Sequence, residues 1–534
     1  MNSILANLRD SMRLALLCLT LLVLGAGQVL ADEPVQGGTF NVILEPEPST
    51  LSGAFTSSDP TSVVSSKIHD GLLTYDPEFN LKPQLASSWD VSADGKTITF
   101  HLREGVKWHD GVEFTSADVA FSLMLMKEVH PRGRGHFAEI NSIETPDPYT
   151  AVLKLNNPAP YMMWAFVSSE SPMVPKHLYE TGEHQTNPNN VAPIGTGPFK
   201  FVEWVKGSHI TLERNPDYWD APRPYLDKVV FHIIPDSAAR AVALETGEVD
   251  MGYSNPVPLS DIDRLLALPH LNSSTLTNRY TAVNAWIEFN LENEYFKHLE
   301  VRQAIAHAID REFIRDNVWF GHAAVSTGPI HVDLAPYYTA DVPTYEYDLD
   351  KANSLLDEAG FPRGSDGVRF SVTHDYMPFG DPLKVTAEYI KQALKAVGIA
   401  VTIRSQDYPT YARRVYELRD FDFTNVVMNN TPDPSSGVQR IFWSKNFKPG
   451  VPWSNGSGYS NPEMDHLLES AAIEVDPEKR VEIWHDMQRL AQEDIPDVPL
   501  VSLKSVTIFN TKVKNLFVNP LGYLSSFSEV YLAK

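Results

Sequence analysis

Arg132 and Arg134 lie in His130-Pro131-Arg132-Gly133-Arg134-Gly135-His136-Phe137, where an otherwise acidic chain gathers cationic and titratable side chains among glycines. A guanidinium binds carboxylate or phosphate through two parallel hydrogen bonds, and glycine lets backbone approach a ligand closely. The stretch reads as an anion-facing loop or, equally well, as a solvated turn. Bond-breaking chemistry finds no comparable support. The chain has no Gly-x-Ser-x-Gly elbow, no Gly-x-x-x-x-Gly-Lys phosphate loop and no His-Glu-x-x-His zinc helix. His101 falls on a strand face and His109-Asp110 in a turn, so a metal would need ligands from elsewhere. Glu45/Glu47, Asp261/Asp263 and His331 with Asp333 read as surface groups in so acidic a chain. No pattern here asks for an enzyme, and neither a metal nor a cofactor is expected.

The elements around that loop follow from periodicity. Ile98, Phe100 and Leu102 alternate with Thr97, Thr99, His101 and Arg103, the pattern of a half-buried strand. Gly105 and Asp110-Gly111 turn the chain, and Thr115 or Ser116 can cap a helix running to about Val129. Ala151, Leu153 and Leu155 share one face of another strand. Strands are also expected at 39–42, 210–212 and 229–234, with helices from Ser62 to Gly71 and over 237–247. From Trp286 onward, helix and strand alternate. Val301, Ile305, Ala308 and Ile309 form one helical stripe, and Ala387, Ile390, Leu394 and Val397 form another. Asp348, Asn461 and Asp476 stand where helix caps are needed, the last two before prolines. This alternation predicts an α/β lobe with a mostly parallel sheet.

A length of 534 residues exceeds what one hydrophobic core usually serves, so two or more domains are expected. The formal charge of -24 argues against a nucleic-acid partner. Arg9 and Arg13 precede an apolar run over 14–24, and Val29-Leu30-Ala31 fits a small-residue cleavage site. That pattern predicts a signal peptide over 1–31, from a run too short to span a bilayer comfortably. Cys18, the single cysteine, lies inside the run, and Leu16-Leu17 before it does not fit a lipoprotein signal. The exported chain would carry no thiol, so neither disulfides nor cysteine-held zinc are expected. A periplasmic location follows.

The string 97–119, with Trp108, Gly105, Gly111 and the helix start at Ala117-Asp118-Val119, resembles the signature of the family 5 extracytoplasmic solute-binding proteins. These are the oligopeptide, dipeptide, nickel and opine receptors of ABC importers. Gly195-Thr196-Gly197-Pro198-Phe199, Glu213 through Trp219, Val301 through Arg311, Tyr347 through Ala352 and Tyr459 through Glu463 extend the resemblance in order, from Gly38 to near Val530. It implies two α/β lobes of the large type II class, with mixed sheets, an extra subdomain and two crossovers acting as a hinge. Mapped here, lobe I is 32–69, 195–286 and 504–534, the subdomain 70–194, and lobe II 287–503.

By the same resemblance, the protein is a monomeric periplasmic receptor that encloses a peptide or peptide-like solute and delivers it to permease subunits, with the ATPase on a separate chain. An opine, sugar conjugate or other acidic solute is the alternative, and a secreted hydrolase on the same fold a distant one. Peptide receptors of the family hold the ligand ammonium with an aspartate four residues before a proline. Here Asn430 occupies that position before Pro434, and Val427 replaces the usual tryptophan. Either Asp433 takes over, or the ligand has no free amino group there. The segment 376–381 lacks the arginine that binds carboxylate in dipeptide receptors. Asn429, Asn430 and the Arg132/Arg134 loop with Phe137 suit a polyhydroxylated or acidic ligand. Ser58 and Asp59 match a loop that contacts ligand backbone, and Trp286, Phe379 and Tyr408 are candidate pocket walls.

Overall fold

The computed structural model describes residues 33–533. Phe40, Val42 and Leu44 are buried on Thr39–Leu44, the middle strand of a seven-stranded sheet. Lys228–Ile233 pairs with it in parallel on one side, placing Phe231 opposite Val42, and Met251–Gly252 flanks the other. His209–Arg214, Phe199–Val205, Thr507–Asn510 and Leu271–Ser274 complete this sheet. A second sheet, of six strands, contains Val283–Phe289, Ala323–Val325, Phe370–Tyr376, Ile399–Arg404, Phe423–Asn429 and Asp497–Leu503. Apolar stripes of Leu299–Ala308 and Asp381–Ala396 close its core, with Ile305, Ile390 and Leu394 fully buried.

The second sheet is mixed rather than mostly parallel. Phe370–Tyr376 runs parallel to Ile399–Arg404 and to Phe423–Asn429, but Val283–Phe289 and Ala323–Val325 pair antiparallel with their neighbours. A parallel neighbour needs a long crossover. The parallel pairs are those joined within 370–429, through Asp381–Ala396 and the turns that follow Ile399–Arg404.

A four-stranded antiparallel sheet (Ala86–Val91, Thr97–Leu102, Thr150–Leu155, Ile140–Asp147) shares its apolar core with the first sheet, Phe100 meeting Phe166 at 4.9 Å. Where the chain returns from it, a Cβ on Gly195 would lie 1.8 Å from the Ile68 carbonyl oxygen, so glycine is required.

The chain passes between the two large sheets twice, over 275–282 and 504–506. The passages are tied together. Asn278 Nδ2 donates to Ser505 O at 3.1 Å, and Ser505 N donates to Asn278 Oδ1 at 3.1 Å. The lobe boundary expected between 286 and 287 falls inside Val283–Phe289, which pairs entirely within the second sheet. The change of lobe comes earlier, at Ala282, whose φ of 42° breaks the preceding turn. The expected leader and Cys18 lie outside the described residues. Among the described residues no helix is long and apolar enough to cross a membrane.

Register in the second sheet has one costly result. Glu288 sits directly opposite Asp497 on the neighbouring strand, and both are buried. Glu288 Oε1 and Asp497 Oδ1 have no partner. Burial, then the Asp497 charge, pushes Glu288 up to about 8, and burial pushes Asp497 up to about 7. The folded state therefore holds protons that the unfolded chain releases above about pH 4. Stability from this pair is complete below that pH and is lost as pH rises through about 8. Glu288→Gln is expected to flatten the fall in melting temperature between pH 5 and pH 9, measured by circular dichroism. Parallel profiles for the two proteins would contradict the assignment.

Candidate functional site

The helix Asp59–Ile68 begins where Pro60 fixes its first turn, and it presents Asp59 at its N-terminus. The Asp59 carboxylate reaches water yet is crowded by protein, which pushes its pKa up against the opposing pull of Arg132. It makes no hydrogen bond or ion pair among the described residues.

The 130–137 loop folds as the short helix Gly133–His136, anchored by His130, whose Nε2 lies 3.0 Å from Thr56 O. Gly133 serves this packing rather than a ligand, since a Cβ there would lie 2.5 Å from Met126 O. Arg132 turns inward. Its Nη1 donates to Glu170 Oε1 at 2.6 Å and its Nη2 to Ser57 O at 3.3 Å. Burial opposes the Arg132 charge, but Glu170 and Asp59 outweigh it. Tyr280 OH lies 2.8 Å from Ser169 Oγ on the same wall.

Asp59, Ser62, Arg132, Trp164, Ser169, Glu170 and Leu524 face Asn429, Thr431 and Pro432 across a cleft of about 380 Å³, with Tyr280 and Thr281 of the passage between sheets at its side. Trp164 Nε1 reaches Ser436 Oγ across it at 3.3 Å. Of the residues expected from sequence, Asp59, Arg132 and Asn429 meet here. Ser58 precedes Asp59 but does not line the cleft.

Other expected residues are elsewhere. Arg134 is exposed and donates to Glu128 O at 2.9 Å. Phe137 is buried in the first core, against Phe166. Trp286 belongs to the second lobe's core, beside a separate small pocket. Phe379 stacks on Tyr408 at 4.9 Å, with Trp453 5.8 Å from Tyr408, on the second lobe outside the cleft lining.

Asn430 is fully buried behind the wall. Its Oδ1 accepts from His331 N at 2.7 Å, and its own N donates to Ala282 O at 2.8 Å. Asp433 is also committed internally. Arg480 Nη1 and Nη2 donate to its two oxygens at 2.7 Å each, and Arg480 also donates to Tyr337 OH, Ser435 Oγ and Ala471 O. A carboxylate so paired is not free for a ligand ammonium. Glu170, Trp164, Tyr280 and Thr431 were not legible as site residues, because no local pattern marks them.

Another cavity, in the first lobe, holds an ion-paired arginine: Arg223 pairs with Asp220 at 2.7 Å and Glu529 at 3.4 Å. Among the described residues no group of three or more His, Cys, Asp or Glu side chains is arranged to hold a metal.

A two-lobed fold with a charged cleft beside paired passages is matched by sequence. The model of "Bacterial extracellular solute-binding proteins, family 5 Middle" matches residues 80–457. The chain belongs to that family. This family 5 binding protein is 30% identical over 512 residues to a putative ABC transporter peptide-binding protein of Brucella ovis, covering 93% of each chain. It resembles the solved structure of DppA from Helicobacter pylori in complex with peptide STSA, at 29% identity and a TM-score of 0.76 over 94% of this chain and 99% of that one. AgaA in complex with agropinic acid, from A. tumefaciens R10, is similar at 29% identity and a TM-score of 0.75, over 93% and 99%. The family is one of binding proteins, and it is extracellular by description.

Breaking the Asp433–Arg480 pair strands a buried charge. Arg480→Ala is expected to cost about 3–5 kcal/mol of unfolding free energy in urea. Replacing both residues by apolar ones of similar volume should restore most of that loss. A single variant within about 1 kcal/mol of wild type would contradict this structural role.

Proposed function

We propose that this family 5 protein is a non-enzymatic, monomeric periplasmic receptor that captures a peptide or peptide-like solute in the cleft and delivers it to the permease of an ABC importer. Asp59 carries the reading. It is a carboxylate on the cleft wall with no internal partner, whereas Glu170 is held by Arg132 and Asp433 by Arg480. An ammonium group entering the cleft finds its counter-charge there. This relocates the anchor to the opposite wall from Asn430, where a neutral amide offers none. The peptide-named relative from Brucella and the peptide-bound DppA support the solute class.

Enclosure by both lobes makes closure depend on the ligand's differential affinity for the shut form. The tied passages at Asn278 and Ser505 serve as the pivot. The AgaA likeness also favours a second reading, an opine.

Tryptophan fluorescence, with Trp164 in the cleft, can follow titration with pooled tetrapeptides bearing free or acetylated N-termini. Wild type is expected to prefer the free pool by about tenfold or more, roughly 1.4 kcal/mol. Asp59→Asn should erase the preference. Acidification should weaken binding as the raised Asp59 carboxyl protonates. Equal binding of both pools would contradict the Asp59 anchor, and binding of an opine but no peptide would move the assignment to the second reading.

A further inference from the structure

Buried arginines of the second lobe are saturated with partners, with one exception. Arg302 donates to the carbonyls of Ile495, Phe296 and Asp494, and Arg311 to those of Pro499, Ala306 and Tyr345. Arg480 is filled by Asp433 and its neighbours. Arg440, on the short helix Gln439–Phe442, makes no side-chain hydrogen bond and no ion pair among the described residues. Its Nε is buried without a partner. The side chain is half-buried, and an Nε withdrawn from water without a partner is costly, so proteins rarely tolerate one without a use for it.

Its position supplies the use. The helix follows the turn that carries Ser436, which is reached by Trp164 from the opposite wall. His136 packs edge-on against Trp164 at 4.8 Å, and Arg132 is four residues before it. Trp164, against which His136 packs, reaches Ser436 four residues before Arg440, and Arg440 and His136 both feel the Arg132 charge. Burial, then Arg132, His130 and Arg440, hold the His136 imidazole neutral. Glu170 does not compensate Arg440, because its Oε1 is taken by Arg132 and its Oε2 lies 4.0 Å from His136 Nδ1.

We infer that Arg440 is a ligand-binding residue that receives an anionic group of the solute, a carboxylate, and that this group bridges the second lobe to the Arg132–His136 side of the first. Like-charge repulsion between Arg440 and Arg132 then opposes closure of the empty cleft, and a bound carboxylate removes it. With Asp59 unpaired on the first-lobe wall and Arg440 behind the second-lobe wall, one zwitterionic solute would meet separate places for its cation and its anion. The inference rests on the cleft being the ligand site.

The test compares wild type, Arg440→Met and Arg440→Lys with pooled tetrapeptides having free or amidated C-termini, by titration calorimetry. Wild type should bind the free pool at least about tenfold more tightly than the amidated one. Arg440→Met should lose that preference, and Arg440→Lys should recover part of it. Retention of the full preference in Arg440→Met would overturn the inference while leaving the peptide reading intact. If neither pool binds wild type, the peptide reading fails, and Arg440 is decided by melting of the ligand-stripped proteins. Removing an uncompensated charge should raise the melting temperature of Arg440→Met by a few degrees, with a smaller rise in high salt. A lower melting temperature would mark Arg440 as structural and overturn the inference.

Discussion

Charge taken out of water has to be paired, and the organisation of this protein follows from where it is paired and where it is not. Inside the second lobe, Arg480 closes on Asp433 from both nitrogens, and Arg302 and Arg311 are spent on backbone carbonyls. On the first lobe, Arg132 closes on Glu170. Glu288 and Asp497 are buried in the second lobe, each with an oxygen that has no partner, and near the boundary between lobes Asp59 on one wall and Arg440 beyond the other are also unpaired among the described residues. In the proposed reading, unpaired charge of both signs at this boundary would recognise a solute that carries the opposite pattern and give it leverage over closure.

The hinge follows from connectivity. Among the described residues two passages join the large sheets, and their mutual hydrogen bonds at Asn278 and Ser505 keep them side by side. Two adjacent strands of chain allow one lobe to swing against the other with little loss of packing, because each lobe has its own apolar core. The antiparallel third sheet adds bulk to the first lobe by sharing its core, so it moves with that lobe and brings Arg132 and Glu170 to the cleft.

Much of this fold was legible because its signals are local. Asp348, Asn461 and Asp476 cap their helices as expected, and Thr115 forms a capping box with Asp118. Strand alternation at 97–102 and 150–155 matches the observed burial. The site was harder. Arg132 and Arg134 are two residues apart, yet a single helical turn sends one inward and the other to solvent. Phe137, next in line, belongs to the core. Asp433 is visible as an acid, but its partner lies 47 residues later, and only folding reveals that it is occupied. Arg440 is an ordinary arginine in sequence. Its distinction is the lack of a partner, which no local pattern encodes.

The most direct measurement is native mass spectrometry of the protein purified from its own cells, before and after unfolding releases bound solute. The account predicts that the released compound carries both an amine and a carboxylate, reacting with amine-selective and carboxyl-selective reagents alike. A neutral sugar, or a solute lacking either charged group, would contradict the pairing of Asp59 and Arg440 with one ligand.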